Sequence, residues 1–297
     1  MKKKIEELKY RLSYAIYIFF SFFCGKILKI NLSRKLFAKL SFFFYYFLPL
    51  RKKIVLKNLK IVFPTLTEKQ RKKIARDAYA SFAVTLAEIF CLNYMSLEEA
   101  KKEIIFKKAE NITNIKSDKK NRIFVTAHFG NWEFGAIGFR VHFNSPLYVV
   151  VKKLKNKYVS DWMINLREKF DNKAFSKGIS LKEILKALYE GKNIGIVGDQ
   201  RGPRDGKRIK FFARQASVFT GAASLSVRSG VPIIAAFVVR RPDYKYEVIF
   251  ENIYDEQLNE AYEDKALELT AKYFKVLERY IVNYPEQWLW HHDRWKY

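Results

Sequence analysis

The chain predicts an α/β fold, a sheet flanked by helices, with an N-terminal membrane-anchoring helix. Three observations predict it. Short apolar runs at 123–127, 147–151, 193–198 and 231–239 alternate with longer stretches of helical periodicity, which is the pattern of strand–helix–strand units with parallel strands. Charged residues stand where these runs stop: His128, Lys152 with Lys153, Asp199 and Arg240. In an open α/β sheet those strand ends are where ligands and reacting groups collect. The first fifty residues are dense in phenylalanine, which is unusual at a soluble amino terminus. At 297 residues the chain suits one large domain plus an anchor, divided here as 1–50 and 51–297.

Residues 12–25 read LSYAIYIFFSFFCG, short for a span of about 20 apolar residues, but Lys26 and Lys29 can snorkel and extend the run through Ile30. No small-x-small cleavage site follows, so an uncleaved anchor is expected. Residues 36–50, LFAKLSFFFYYFLPL, contain Lys39 and Pro49 and fit an interfacial helix better than a second span. A pair of buried core helices is the rival reading. Basic residues flank both runs, so charge bias does not set the orientation. Cys24 and Cys91 are the only cysteines, which excludes a disulfide framework and a zinc ribbon and fits a reducing compartment.

With 56 Lys and Arg against 30 Asp and Glu, the net charge is +26. That implies an acidic partner (nucleic acid, anionic lipid or an acidic carrier protein), or else only a lysine-biased genome. Hydrophobic residues at 49% exclude a disordered chain.

Next, Asn58-Leu59 and Phe63-Pro64 mark a turn, and Thr67 followed by Gln70 is a capping-box pattern. The helix after it runs to about Phe90, with Ile74, Ala78, Phe82 and Leu86 on one face. Residues 96–120 are polar and lysine-rich and read as a short helix and a linker.

The central stretch is IFVTAHFGNWEFGAIG, residues 123–138. A strand ends just before His128, Gly130-Asn131 supplies turn residues, and a helix starts near Trp132, with Glu133 in its first turn. Across a turn, a His and a Glu at this spacing can meet. Neutral imidazole takes a proton from a hydroxyl near pH 7, and a carboxylate on its other nitrogen fixes the tautomer. No serine or cysteine nucleophile is needed if the substrate brings its own hydroxyl. The same residues also fit a capped helix start with a hydrogen-bonded loop histidine.

Downstream, a helix over 157–170 carries Arg167, a further helix over 180–189 closes at Gly191, and the strand 193–198 ends in Asp199-Gln200. Asp199 either caps the turn or lines the site beside His128. Thr220 is placed to cap a small-residue helix at 221–228, whose start fits either an oxyanion or close packing. Residues 231–239 read as a central strand, 246–250 as an edge strand, and 256–282 as an amphipathic helix. The tail PEQWLWHHDRWKY fits either a membrane interface or packing over the core.

Four blocks in order resemble the bacterial lipid A biosynthesis acyltransferases: NLKIVFP at 58–64 with Glu88 after it; His128 to Glu133; Asp199-Gln200 with Gly202-Pro203, Phe211-Phe212 and 217–221; and PEQWLW with Arg294-Trp295-Lys296. The resemblance covers nearly the whole chain. A Phe-Pro-Glu-Gly block, which would mark a glycerolipid acyltransferase, is not found. The resemblance implies a glycerolipid-acyltransferase-like mixed sheet and a monotopic or single-pass enzyme at the cytoplasmic face of the bacterial inner membrane. Its implied reaction moves an acyl chain from acyl carrier protein to a hydroxyl of a phosphorylated glycolipid, a lipid A precursor. It implies His128 as general base, Glu133 orienting it, Arg167 binding phosphate or the oxyanion, and Asp199 in the site. Gln200, Lys152 and Lys153 join the expected substrate-binding set. The resemblance implies no metal or organic cofactor and no nucleic acid partner. The alternatives are acyl transfer to another glycolipid or a lysophospholipid, and a non-enzymatic basic membrane-binding protein.

Overall fold

The computed structural model describes residues 2–107, 110–113, 120–152, 154–175, 181–254 and 262–297. Among these, the β-branched and aromatic runs form a seven-stranded mixed sheet: β1 (Ile104–Lys107), β2 (Ile123–Thr126), β3 (Leu147–Val150), β4 (Lys173–Phe175), β5 (Asn193–Val197), β8 (Ile233–Arg240) and β9 (Tyr246–Asn252). The spatial order is β1-β9-β8-β2-β5-β3-β4. Only β8 and β9 pair antiparallel. A separate hairpin joins β6 (Arg208–Phe211) to β7 (Arg214–Ser217).

The strand period of two sorts side chains between two cores. Ile123 and Val125 face one, with α3 (Lys52–Val62), α9 (Leu181–Tyr189), α10 (Gly221–Ser229), α11 (Tyr262–Asn283) and the tail. Phe124 faces the other, with α7 (Trp132–Phe143) and α8 (Lys157–Glu168). The 25-residue α4 (Glu68–Leu92) serves both, and Thr67 with Gln70 closes the expected capping box at its start.

Several expectations are revised. Asn58 and Leu59 mark no turn: both are buried inside α3, Leu59 in the core and Asn58 hydrogen-bonded to the tail. The polar stretch after Ser96 forms α5 (Leu97–Lys102), as expected of a short helix, but Ile104–Lys107 is strand β1 and not linker. It pairs parallel with β9, so β9 lies inside the sheet rather than at its edge. A four-residue strand flanked by lysines carries too little periodicity to read from sequence. β4 and the short α6 (Glu110–Thr113) went unread for the same reason. The tail packs over the core: Trp288, Trp290 and Trp295 are buried. The start of the helix expected from 256 lies outside the described residues.

The N-terminal apolar stretch is helical and, by length and composition, able to cross a membrane. It is not straight. α1 (Lys2–Phe22) runs through a π-helical turn, Phe23–Leu28, into α2 (Lys29–Tyr46), and Lys29 takes φ 57°. The Ser33 hydroxyl then donates to the Cys24 carbonyl at 3.1 Å, and Phe20 and Phe37 lie 5.9 Å apart. In one straight helix those two rings would be about 25 Å apart at 1.5 Å per residue. The stretch is therefore a V. Its inner side packs on α4 and on the start of α8, where Asn156 Nδ2 donates to Tyr10 O and Ser13 Oγ. Leu8, Leu12, Ile16 and Phe19 on α1, and Phe42, Phe43 and Phe47 at the end of α2, remain exposed.

A buried carboxylate ties the V to the sheet. Glu88 of α4, fully buried, receives Arg34 Nε of α2 at 2.7 Å, Asn131 Nδ2 at 3.0 Å, Arg240 Nη2 of β8 at 3.4 Å, and the Tyr246 hydroxyl of β9. Removing one partner of a buried ion pair strands the others without compensation. Glu88→Ala is expected to cost about 3–5 kcal/mol in chemical denaturation of the detergent-solubilised protein, and Glu88→Gln less. A change within about 0.5 kcal/mol, as at ordinary surface positions, would refute that role.

Candidate active site

The parallel register of β2 and β5 builds the site. Thr126 lies opposite Val197. Two residues further along each strand come His128 and Asp199, side by side at the carboxyl edge of the sheet. His128 Nδ1 lies 2.7 Å from Asp199 Oδ1. The Trp288 indole N–H donates to Asp199 Oδ2 at 2.9 Å, so both carboxylate oxygens are engaged. An ionised carboxylate only accepts, so Nδ1 carries the proton and a neutral His128 presents a basic Nε2.

The loop between His128 and α7 is clamped. Asn131 is the N-cap of α7: its Oδ1 accepts from the backbone N–H of Glu133 at 3.1 Å and of Phe134 at 3.3 Å. Its Nδ2 donates to Glu88. Gly130 has φ +55°, and a Cβ there would collide with the Val238 carbonyl oxygen, so only glycine fits. The tail lies along this loop. Gly130 N donates to Gln287 O at 2.9 Å, and Leu289 N to His128 O at 3.0 Å. Asn58, from the first block, holds the far side of the tail through Trp290 O and His292 O at 2.9 and 2.8 Å.

Glu133 does not reach His128 Nδ1, which Asp199 occupies. Its carboxylate takes a bidentate pair from Arg167 of α8, Nε to Oε2 at 2.9 Å and Nη2 to Oε1 at 2.6 Å. The Trp132 indole adds a third hydrogen bond at 3.1 Å, and the Trp132 ring packs edge-on against His128, 4.7 Å between centroids. The sequence expectation that Glu133 orients His128 is corrected on this point: the strand register, not the loop spacing, supplies the carboxylate on the imidazole. Glu133 remains close enough to act through its charge.

Electrostatics follow from these contacts. Burial of His128 disfavours its charged form. The Asp199 charge and hydrogen bond outweigh that, Glu133 adds to them, Arg167 opposes, and the pKa stands above its ordinary value. Burial of Asp199 favours its neutral form, but His128 and the Trp288 donor hold its pKa below the usual carboxylate range. The Arg167 guanidinium loses hydration by burial, which Glu133 more than offsets.

His128, Glu133 and Arg167 open onto a cavity of about 1240 Å³ whose other walls are mostly apolar. Gln200 and Lys152 line it and are exposed. Lys153 lies outside the described residues. Gly221, Ala222 and Ala223 line it too. Thr220 precedes α10 as expected but makes no capping hydrogen bond with its side chain. Among the described residues, no cluster of three His, Cys, Asp or Glu could hold a metal ion.

Asn131 and Trp288 were not singled out from the sequence. Asn131 was legible as an N-cap residue just before a helix. Trp288 was not, because its partner lies 89 positions away.

The family model described as "Bacterial lipid A biosynthesis acyltransferase" matches residues 1–297. The "Lipid A biosynthesis lauroyltransferase" of Escherichia coli (strain K12) is 28% identical over 254 residues, covering 84% of this chain and 80% of the relative. The "Lipid A biosynthesis palmitoleoyltransferase" of the same organism is 26% identical over 252 residues, with 84% and 80% covered. The "Lipid A biosynthesis acyltransferase" of Shigella flexneri is equally similar.

The His128–Asp199 contact is open to direct measurement. In NMR titrations the His128 imidazole is expected to titrate above an ordinary histidine, about 6.5. In Asp199→Asn the anion is gone, and the His128 pKa is expected to fall. No downward movement would show that the contact is absent in solution.

Proposed function

Because the chain belongs to the bacterial lipid A biosynthesis acyltransferase family, we propose that it moves a fatty acyl group from acyl carrier protein to a hydroxyl of a lipid A precursor, with His128 as general base. The observation that carries this reading is the His128–Asp199 pair, with His128 in the wall of a mostly apolar cavity.

The acceptor hydroxyl gives its proton to His128 Nε2 as its oxygen attacks the thioester carbonyl carbon. Asp199 holds the Nδ1–H and stabilises the imidazolium that forms. The tetrahedral intermediate collapses, the C–S bond breaks, and the thiolate leaves with the proton from His128. An ester and a carrier thiol result, and the protein forms no covalent bond. Neither cysteine serves as a nucleophile: Cys24 and Cys91 are both buried, away from the cavity lining. Arg167, held flat by Glu133, keeps its Nη1 without a hydrogen bond among the described residues. It is the group to meet an acceptor phosphate or the developing oxyanion.

The V of α1 and α2 supports a seat at the membrane: its exposed apolar side would enter the bilayer while its inner side stays on the catalytic body. On this reading residues 1–50 form the anchor and 51–297 the catalytic domain, at the cytoplasmic face of the inner membrane, where acyl carrier protein is available. The net charge of +26 favours encounter with an acidic carrier and a phosphorylated acceptor.

The test is transfer by purified protein in detergent, from acyl carrier protein to a tetra-acylated lipid A precursor. His128→Ala is expected to lose about 10²–10⁴-fold in kcat. Equal rates with native protein and variant would overturn the mechanism. Product with a lysophospholipid and none with the lipid A precursor would overturn the acceptor. With the carrier as donor, kcat/KM is also expected to fall as salt rises from low ionic strength to 0.15 M, where screening acts beyond about 8 Å. Insensitivity to salt would argue against an acidic donor.

A further inference from the structure

The cavity is larger than the site chemistry needs, and one part of it has a definite end. On the α7 and α8 side of the sheet it is lined by Gly135, Ala136 and Phe139 of α7, Met163 of α8, and Phe124, Gly195, Ala236 and Phe250 from the strands. We propose that an aromatic floor formed by Phe124, Phe139 and Phe250 sets the length of the donor acyl chain this site accepts, at about ten to twelve carbons. The inference rests on the acyl-transfer reading above.

The lobe starts at the reacting centre, because His128, Trp132 and Glu133 line the same cavity. Its walls stay narrow in side chain but open in space. On β5, Gly195 stands between Phe124 of β2 and Val149 of β3, where any side chain would press on Leu147 and Val149. On α7 and β8, Gly135, Ala136 and Ala236 are the small positions. Among the described residues, no charged group lines this lobe below Glu133 and Arg167, so a methylene chain entering it strands no buried charge.

Its end is closed by rings in contact. Phe124 meets Phe139 with centroids 4.8 Å apart, and Phe250 at 5.8 Å. Behind them Phe143 packs on Phe139 at 4.7 Å and on Phe250 at 6.0 Å. Phe124, Phe139 and Phe250 are buried, so the floor is backed by protein and not by solvent.

Two independent paths give its depth. Along β2, Phe124 lies four residues before His128, about 13 Å at strand rise. Along α7, Phe139 lies seven residues after Trp132, about 10 Å at helix rise. An extended chain of single bonds advances about 1.2 Å per bond, since three backbone bonds span 3.3–3.6 Å. The floor therefore meets the end of a chain about nine to eleven bonds beyond the reacting carbonyl carbon.

The experiment offers the full-length protein C10, C12, C14 and C16 acyl carrier protein in competition, with a tetra-acylated lipid A precursor as acceptor. In parallel, thermal stabilisation by free saturated fatty acids from C8 to C18 reads chain occupancy without any reaction. Native protein is expected to prefer C10–C12 over C16 by at least about tenfold, the smallest discrimination ordinary for one methylene in an apolar pocket. Phe139→Ala should move the preference to longer donors. Phe139→Leu, a milder change that spares the core, should move it less in the same direction. Ala136→Leu should move it to shorter ones. The fatty-acid length at which stabilisation stops rising should shift likewise.

Unchanged donor preference in Phe139→Ala and Phe139→Leu would overturn the floor and leave the acyl-transfer reading standing. A change confined to the acceptor's acyl length would also overturn it, by showing that the acceptor enters this lobe. If no donor is used, but the fatty-acid limit lies near C12 and shifts with Phe139, the floor stands and the reaction assignment fails. A fatty-acid limit that is absent, or deaf to Phe139, overturns the floor.

Discussion

Everything at the active edge of the sheet depends on one buried carboxylate. Glu88 has no exposed surface, yet three other elements and the His128 loop converge on it: Arg34 from α2, Arg240 from β8, Tyr246 from β9 and Asn131 from the loop. A buried ion is tolerable only when its lone pairs are filled and opposite charge is at hand. Two guanidiniums supply the charge here, and the hydroxyl and amide fill the rest. Arg240 extends the network, with Nη2 on Thr85 Oγ1 at 2.6 Å, while the Thr85 hydroxyl donates to Gly130 O at 2.9 Å. The loop that carries His128 is therefore fixed from below by charge and from above by the tail.

That constraint explains how two nearby carboxylates take different roles. Asp199 sits beyond β5 and is shared between His128 and Trp288. Glu133 opens α7 and is fully occupied by Arg167 and Trp132. Each acid is paired with one base of a different kind. Asp199 holds a titratable imidazole, the proposed base, while Glu133 holds a permanently charged guanidinium, the proposed partner of substrate anions. The separation relies on Asn131, which caps α7 through Oδ1 and grips Glu88 through Nδ2, so the turn between His128 and Glu133 cannot drift.

Much of this was legible in the sequence. The strands before His128 and Asp199 announced themselves by apolar, β-branched runs that end in charge, and the helix carrying Arg167 by its periodicity. The family resemblance gathered His128, Glu133, Arg167 and Asp199 without their contacts. Which carboxylate meets which base was not legible, because it follows from a strand register between segments 71 positions apart. Spacing favoured Glu133, a local neighbour, over Asp199, a distant one. The short β1 and β4 were lost to weak periodicity. The bend at Lys29 hid inside a stretch whose composition is apolar on both sides of it. The tail's place over the core was one of two open readings, and its tryptophans fit either, since their rings are apolar and their N–H groups want a partner.

The central claim is that His128 acts as the base and Asp199, not Glu133, governs its proton affinity. The measurement that tests it most directly is the pH dependence of kcat/KM for native protein, Asp199→Asn and Glu133→Gln, since that profile reports the pKa of the free enzyme's essential base. The account predicts an acidic limb above an ordinary histidine in native protein. It predicts a clear shift to lower pH with loss of rate in Asp199→Asn, and a smaller shift in Glu133→Gln. An acidic limb that stays in place in Asp199→Asn, or moves further in Glu133→Gln, would contradict it.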